Sequence, residues 1–103
     1  MEATTHTMDI AKEILNQIKC TDRWALAAYG AKNFIALPEA KEFSGGVRFT
    51  VNGLTHKGIV MIQLRWVDDY TVSFLSKKGE LVHKVERVYN DMLVSILDFV
   101  EGK

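Results

Sequence analysis

The sequence predicts an α+β fold: an antiparallel sheet of four or five strands, with an N-terminal and a C-terminal helix packed on one face. Three observations predict it. Between Val47 and Leu75 apolar and polar residues alternate, with turn-forming residues between the runs. Ahead of that segment, Ile10, Ala11, Ile14, Leu15 and Ile18 recur at the three- and four-residue spacing of one helix face. Behind it, apolar residues recur at helical spacing from Leu81 to Val100. Elements that are apolar on one side bury that side against each other, and helices gathered on one face of a sheet satisfy this order of elements.

Residues 1–7 precede the periodic segment and are expected to be disordered. A helix should run from Met8 to Lys19, with Thr7 as its cap, Asp9 near its positive end, and a stop near Cys20-Thr21-Asp22, three weak helix formers. Trp24 to Tyr29 mixes alanine with aromatic residues and is read as a strand. Gly30-Ala31-Lys32-Asn33 has turn chemistry, and Phe34 to Leu37 reads as a short partner strand closed by Pro38. Residues 38–46 read as a loop ending in flexible Gly45-Gly46.

In the next strand Val47, Phe49 and Val51 alternate with Arg48, Thr50 and Asn52, which assigns the two sets to opposite faces. Asn52-Gly53 signals a hairpin turn and Gly58 a second break. After it, Val60, Ile62, Leu64 and Trp66 are expected inward and Met61, Gln63 and Arg65 outward. Asp68-Asp69 reads as a turn, followed by Tyr70, Val72 and Phe74 inward with Thr71 and Ser73 outward. Lys77-Lys78-Gly79 ends the meander. The closing stripe reads as a helix terminated by Gly102, with Leu81 to Val85 left open to either state because valine suits both.

With 103 residues and 48% hydrophobic content, the chain can form one core but not two, so residues 1–103 are read as a single domain. Its apolar runs, such as Ile59-Val60-Met61-Ile62, fall far short of the roughly 18–20 residues that cross a bilayer, so no membrane partner is expected. Met1 to Thr7 lacks the basic and apolar regions of a secretory signal, and cytoplasmic localisation is the expectation. The single cysteine, Cys20, excludes an intramolecular disulfide. Thirteen basic residues balance thirteen acidic ones, but Arg23, Lys32, Lys41, Arg48, Lys57 and Arg65 face only Glu39 and Glu42 in the stretch 23–65. Such an imbalance marks either an anionic partner or an ordinary solvated surface.

Motifs with chemical content are sparse. His6, His56 and His83 are too scattered for a local ligand motif, and Cys20 has no second thiolate, so neither a metal nor a cofactor is expected. Cys20 reads as a small apolar side chain at a helix end rather than a nucleophile. Asp68-Asp69 is explained by turn propensity, and neither Gly45-Gly46 nor Gly30-Ala31-Lys32 has the spacing of a phosphate loop. With no assembled nucleophile, base and oxyanion donor, the chain is not read as an enzyme.

The surface with functional content is the outward face of the sheet. Arg48, Gln63 and Arg65 fall on it by alternation, Tyr29 is placed nearby by the strand reading of its segment, and Lys32 sits in the adjoining turn. These are the candidate partner-binding or nucleic-acid-binding residues, since arginine contacts phosphate and an aromatic ring stacks on a base. Ile59, Met61 and Leu75 also fall outward, which raises the prospect of a homodimer.

Gly30-Ala31-Lys32-Asn33-Phe34, Val60-Met61-Ile62-Gln63-Leu64, Asp69-Tyr70-Thr71-Val72-Ser73-Phe74 and Val88-Tyr89-Asn90-Asp91-Met92-Leu93 occur together in this chain. In that combination it resembles a group of small proteins from bacteriophages and bacterial mobile elements, departing from them where Arg65-Trp66 replaces a turn-forming Asn-Gly pair. The resemblance implies a bacterial cytoplasmic setting and an accessory role in mobile DNA, and brings no catalytic residue. The expectation is therefore a non-enzymatic accessory or protein-interaction module, working through the uncovered sheet face or an edge strand. The alternative is a nucleic-acid-binding module that uses the polar outer face.

Overall fold

The structure, a computed structural model, describes residues 2–53, 56–67, 69–89 and 92–101. Helix α1 (Glu2–Thr21) and the single-turn helix α2 (Ala25–Ala28) precede five strands: β1 (Lys32–Leu37), β2 (Phe43–Asn52), β3 (Lys57–Arg65), β4 (Tyr70–Leu75) and β5 (Leu81–Val88). Helix α3 (Leu93–Leu97) and a 3₁₀ turn (Asp98–Glu101) follow. The strands form one antiparallel meander in sequence order, β1-β2-β3-β4-β5. Among the described residues, no helix is long and apolar enough to cross a membrane.

One apolar cluster unites the helices with a single sheet face. Ile10, Ala11, Ile14 and Ile18 of α1 are buried in it, as their spacing predicts. They meet Val47, Phe49 and Val51 of β2, Val60 and Ile62 of β3, and Tyr70, Val72 and Phe74 of β4, all at most 4% exposed. Two tyrosine hydroxyls tie elements together, one joining the sheet to α1 and the other joining α2 to the 3₁₀ turn within the helical layer. Tyr70 Oη donates to Gln17 Oε1 of α1 at 2.9 Å, and Tyr29 Oη donates to Asp98 Oδ1 of the 3₁₀ turn at 3.1 Å.

Helix α1 begins at Glu2, so residues 2–7, expected to be disordered, are helical, Met1 lying outside the described residues, and Thr7 lies inside the helix instead of capping it. It ends at Thr21, where the weak helix formers predict, and Asp22 Oδ1 accepts the Trp24 N–H at 3.1 Å to start the turn into α2.

Trp24 to Tyr29 is helical, not a strand. Ala25, Leu26 and Tyr29 are buried while Ala27 and Ala28 are exposed, a one-and-four spacing that only a helical turn produces. The alanines decide the local conformation, and Trp24, 68% exposed, stays outside the core.

Strand β2 starts at Phe43 and absorbs Gly45-Gly46, which were expected to end a loop. Both glycines answer to close approach. A Cβ at Gly45 would stand 2.9 Å from Ile10 Cδ1 of α1, and one at Gly46 would overlap the Ile62 carbonyl oxygen of β3. Gly58, expected as a break, likewise lies within β3, paired with Val51. Gly53 donates to the His56 carbonyl at 3.0 Å across the β2–β3 connection, whose residues 54 and 55 lie outside the described set. Trp66, expected inward on β3, instead sits in the β3–β4 turn, 55% exposed.

The largest departure is at the C-terminal end. Leu81 to Val85, left open between helix and strand, is extended and continues to Val88 as β5, and among the described residues the closing helix is confined to Leu93–Leu97. Val72 pairs with Val85 and Tyr70 with Val88, so Glu86 and Arg87 together oppose Thr71 in a β-bulge, with Arg87 at φ +58°. That extra residue returns Val85 and Val88 to the same face at a three-residue spacing, which in sequence imitates a helix. Asn90, Asp91 and Gly102, parts of the same expected helix and its end, lie outside the described residues.

Phe49→Ala is expected to cost about 3–5 kcal/mol in denaturant unfolding, because the ring is 1% exposed and leaves a cavity against α1. Leu64→Ala should cost less than Phe49→Ala, since Leu64 is only half-buried. Gly46→Ala should cost about 1–3 kcal/mol by overpacking β2 against β3, measured in the same titration.

Candidate functional site

Cross-strand partners share a face, so the pairing register defines the surface that the helices leave uncovered. One row across it reads Ile35, Arg48, Met61, Ser73, Lys84, and the next Lys32, Thr50, Ile59, Leu75, Leu81. A third holds Leu37, Gly46, Gln63 and Thr71. Met61, Ile59, Leu75 and Leu81 are neighbours along or across strands and form a continuous aliphatic patch. Leu81 is 59% exposed, and Ile35 on β1 is 48% exposed.

Arg48 and Gln63 lie on this face as expected, and Lys32, expected in the adjoining turn, joins it as the first residue of β1. Arg48 is half-buried at the centre of its row, and among the described residues no carboxylate pairs with it. Gln63 is half-buried beside Thr71, and Lys32 is exposed at the β1 edge, opposite Thr50. Lys57, on the same face of β3, and Lys84, on β5, add positive charge. Lys84 stands 3.9 Å from Glu86.

Tyr29 is placed elsewhere, and Arg65, outward as expected, is engaged by the fold. Tyr29 is 1% exposed on the helix side of the sheet, because its segment is a helical turn and its hydroxyl is spent on Asp98. Arg65 is outward, but its Nη1 donates to both carboxylate oxygens of Asp69 at 3.1 and 3.2 Å. Its backbone N–H also donates to the Asp69 carbonyl at 2.8 Å, closing the β3–β4 turn. Arg65 is thus half-committed to the fold. Asp69, 6% exposed, serves the turn as expected, and Asp68 lies outside the described residues.

Thr71 and Ser73, expected outside, are 2% and 8% exposed although they do point away from the helices. They are short side chains on the central part of the sheet, with Met61, Gln63 and Lys84 as longer neighbours on the flanking strands. Thr71 Oγ1 is buried without a hydrogen-bond partner. Leaving such a group unpaired carries a desolvation cost.

Aromatic rings are missing from the middle of the face. Phe34 packs on Phe49 with centroids 5.3 Å apart, toward the helices, and Phe43 lies at the far end, opposite Arg65. The remaining chemistry-bearing residues do not converge. Cys20 is exposed on α1, while His56 and His83 lie 5.5 and 5.8 Å from the Phe74 ring and pack it on the helix side. The side chain of His6 lies outside the described part. Among the described residues, no three His, Cys, Asp or Glu gather into a metal-binding group.

The sequence reading missed Ile35, Leu37, Lys57 and Lys84 as members of this face. Lys57 continues the period-two pattern of Ile59 and Met61, a signal hidden by treating Gly58 as a break. Lys84 becomes visible only when the segment from Leu81 is recognised as a strand.

The different placement of the two arginines has a measurable consequence. Arg65→Gln is expected to destabilise the protein by about 1–2 kcal/mol through loss of charge-assisted hydrogen bonds to a buried carboxylate. Arg48→Gln should change stability by less than about 0.5 kcal/mol, since it breaks no contact of that kind. Equilibrium unfolding of the two variants compares them directly.

Compared with known proteins, the chain matches no family model, no curated protein and no solved structure.

Proposed function

We propose that the protein is a non-enzymatic binding module that docks an acidic protein partner on its uncovered sheet face. The observation that carries this reading is the make-up of that face: an aliphatic patch of Met61, Ile59, Leu75 and Leu81 bordered by Arg48, Lys32 and Lys57. Strands β1 to β4 contain no acidic residue at all. An apolar centre with a cationic border fits a partner whose apolar residues are flanked by Asp or Glu. The patch supplies affinity, and the charges supply orientation and exclude cationic competitors.

The same cations suit a nucleic-acid backbone, but among the described residues the middle of the face offers no ring on which a base could stack, Phe43 lying at its far end beside Arg65, and sequence-tolerant binding of single strands depends on such stacking. The protein-partner reading is therefore preferred. A bacterial cytoplasmic setting and a mobile-element origin belong to the same proposal, and the motif resemblance supports them.

Capture from a bacterial lysate, with and without nuclease, tests the choice. A complex that survives nuclease and is lost in Arg48→Glu and in Leu75→Asp, with unchanged melting temperature for Arg48→Glu, supports it. An acidic captured protein is the expected occupant. Capture abolished by nuclease, or salt-sensitive binding of an oligonucleotide at low micromolar concentration, moves the face to nucleic acid. Sedimentation that shows a dimer broken by Leu75→Asp assigns the patch to a second copy of the chain.

A further inference from the structure

A cavity of about 370 Å³ opens at one end of the uncovered face, where β1, β2 and β3 meet the connection between β4 and β5. Lys32 and Lys77 line it from two different parts of the fold, and Asn33, Asn52, Thr50 and Ile59 complete the part that a ligand would touch. No acidic residue lines it. Among the described residues neither lysine is paired with a carboxylate. We propose that this cavity binds the phosphate group of a small phosphorylated molecule.

The donor set is specific to an anion. Thr50 Oγ1 gives its proton to the Lys32 carbonyl at 3.0 Å and accepts one Asn33 Nδ2 proton at 3.3 Å, so it has no proton left to offer. The second Asn33 amide proton, the Asn52 amide and the two ammonium groups remain as donors. Lysine acts as a point charge suited to phosphate, and its three protons adapt to a tetrahedral group. The volume exceeds what a bare phosphate needs and matches the lower range of small-molecule sites. Ile59 offers an apolar contact for the organic part.

Two backbone features shape the cavity. Asn33 stands at φ +59° in the β1 bulge, where Asn33 and Phe34 together oppose Phe49, and asparagine is among the few residues that tolerate that conformation. Gly58 lets the end of β4 fold closely over β3. A Cβ there would overlap the Leu75 carbonyl oxygen and lie 3.2 Å from the Lys77 backbone nitrogen. Any larger residue at position 58 would displace Lys77 from the cavity rim. The cavity shares Lys32 and Ile59 with the proposed docking face and is distinguished from it by Lys77 and Gly58, which docking does not need.

The test uses the purified protein and titration with inorganic phosphate and with n-butyl phosphate at constant ionic strength, followed by amide chemical shifts. Saturable shifts centred on Lys32, Asn33, Asn52 and Lys77, with n-butyl phosphate the tighter of the two, are expected. Lys32→Gln and Lys77→Gln should each weaken binding about tenfold, the size of one charge-assisted hydrogen bond, with unchanged melting temperature. Lys32→Arg should recover most of the loss, and Gly58→Ala should weaken binding while keeping every donor. Shifts that rise without saturation, that spread evenly over all lysines, or that are unchanged in both Lys→Gln variants would overturn the assignment.

Discussion

The seating of α1 on β2 governs the rest of the molecule. At that contact Ile10 lies where a side chain at position 45 would have to go, so the helix rests on backbone and the two layers are as close as they can be. Once α1 is fixed there, the face carrying Val47, Phe49 and Val51 becomes the core, and the opposite face is left to solvent or to a partner. The small elements depend on this contact too. Helix α2 has four residues and α3 five, lengths at which a helix has no stability of its own, so both are held by burial of Leu26, Leu93 and Leu97 against α1 and the sheet. The Tyr70–Gln17 hydrogen bond then fixes the helical layer over the strands, and the Tyr29–Asp98 bond joins α2 to the 3₁₀ turn within that layer.

An open five-stranded sheet exposes two edges, and both are irregular here. In β1 the bulge at Asn33-Phe34, and in β5 the bulges at Val82 and at Glu86-Arg87, interrupt the ladder that a further strand would need. Such irregularities turn an edge away from intermolecular pairing. The consequence is a division of labour within the sheet: the edges resist strand addition, and the broad outward face, regular across β2, β3 and β4, offers the contiguous surface. Recognition through the face therefore fits the architecture better than recognition through an edge strand, although the sequence left both open.

What the sequence revealed follows from which signals are local. The α1 stripe and the alternation in β2, β3 and β4 are repeated over many residues, and each led to the correct element and, apart from Trp66 at the end of β3, the correct inward set. The failures share a cause, which is that one residue can shift a period. The bulge at Glu86-Arg87 turned a strand into an apparent helical stripe, and four residues of helix at Ala25–Ala28 were too short to show a period at all. Gly45, Gly46 and Gly58 read as breaks because their purpose, making room for Ile10, for β3 and for the end of β4, is visible only in three dimensions. The candidate site was affected in the same way. Arg48 and Gln63 were found by alternation and Lys32 was placed in a turn that proved to be the start of β1, whereas Tyr29 was misplaced with its helix and Arg65 was found without its partner Asp69, whose proximity arises from the turn.

Neutral composition hides the electrostatics of this fold. Thirteen positive and thirteen negative residues cancel in the sequence, yet β1 to β4 carry cations and no acid, so the carboxylates lie on the helices, the connections and β5. The fold thereby turns a neutral chain into one with a positive face. At physiological ionic strength that field is screened within about 8 Å, so it acts on a partner already close to the surface and not on distant diffusion. On the proposed docking reading, affinity would then come mainly from the aliphatic patch, while Arg48, Lys32 and Lys57 would select the orientation in which an acidic border meets them. A face built in this way would discriminate by sign and position of charge and tolerate variation in the apolar detail at its centre, which is what the proposed docking role asks of it.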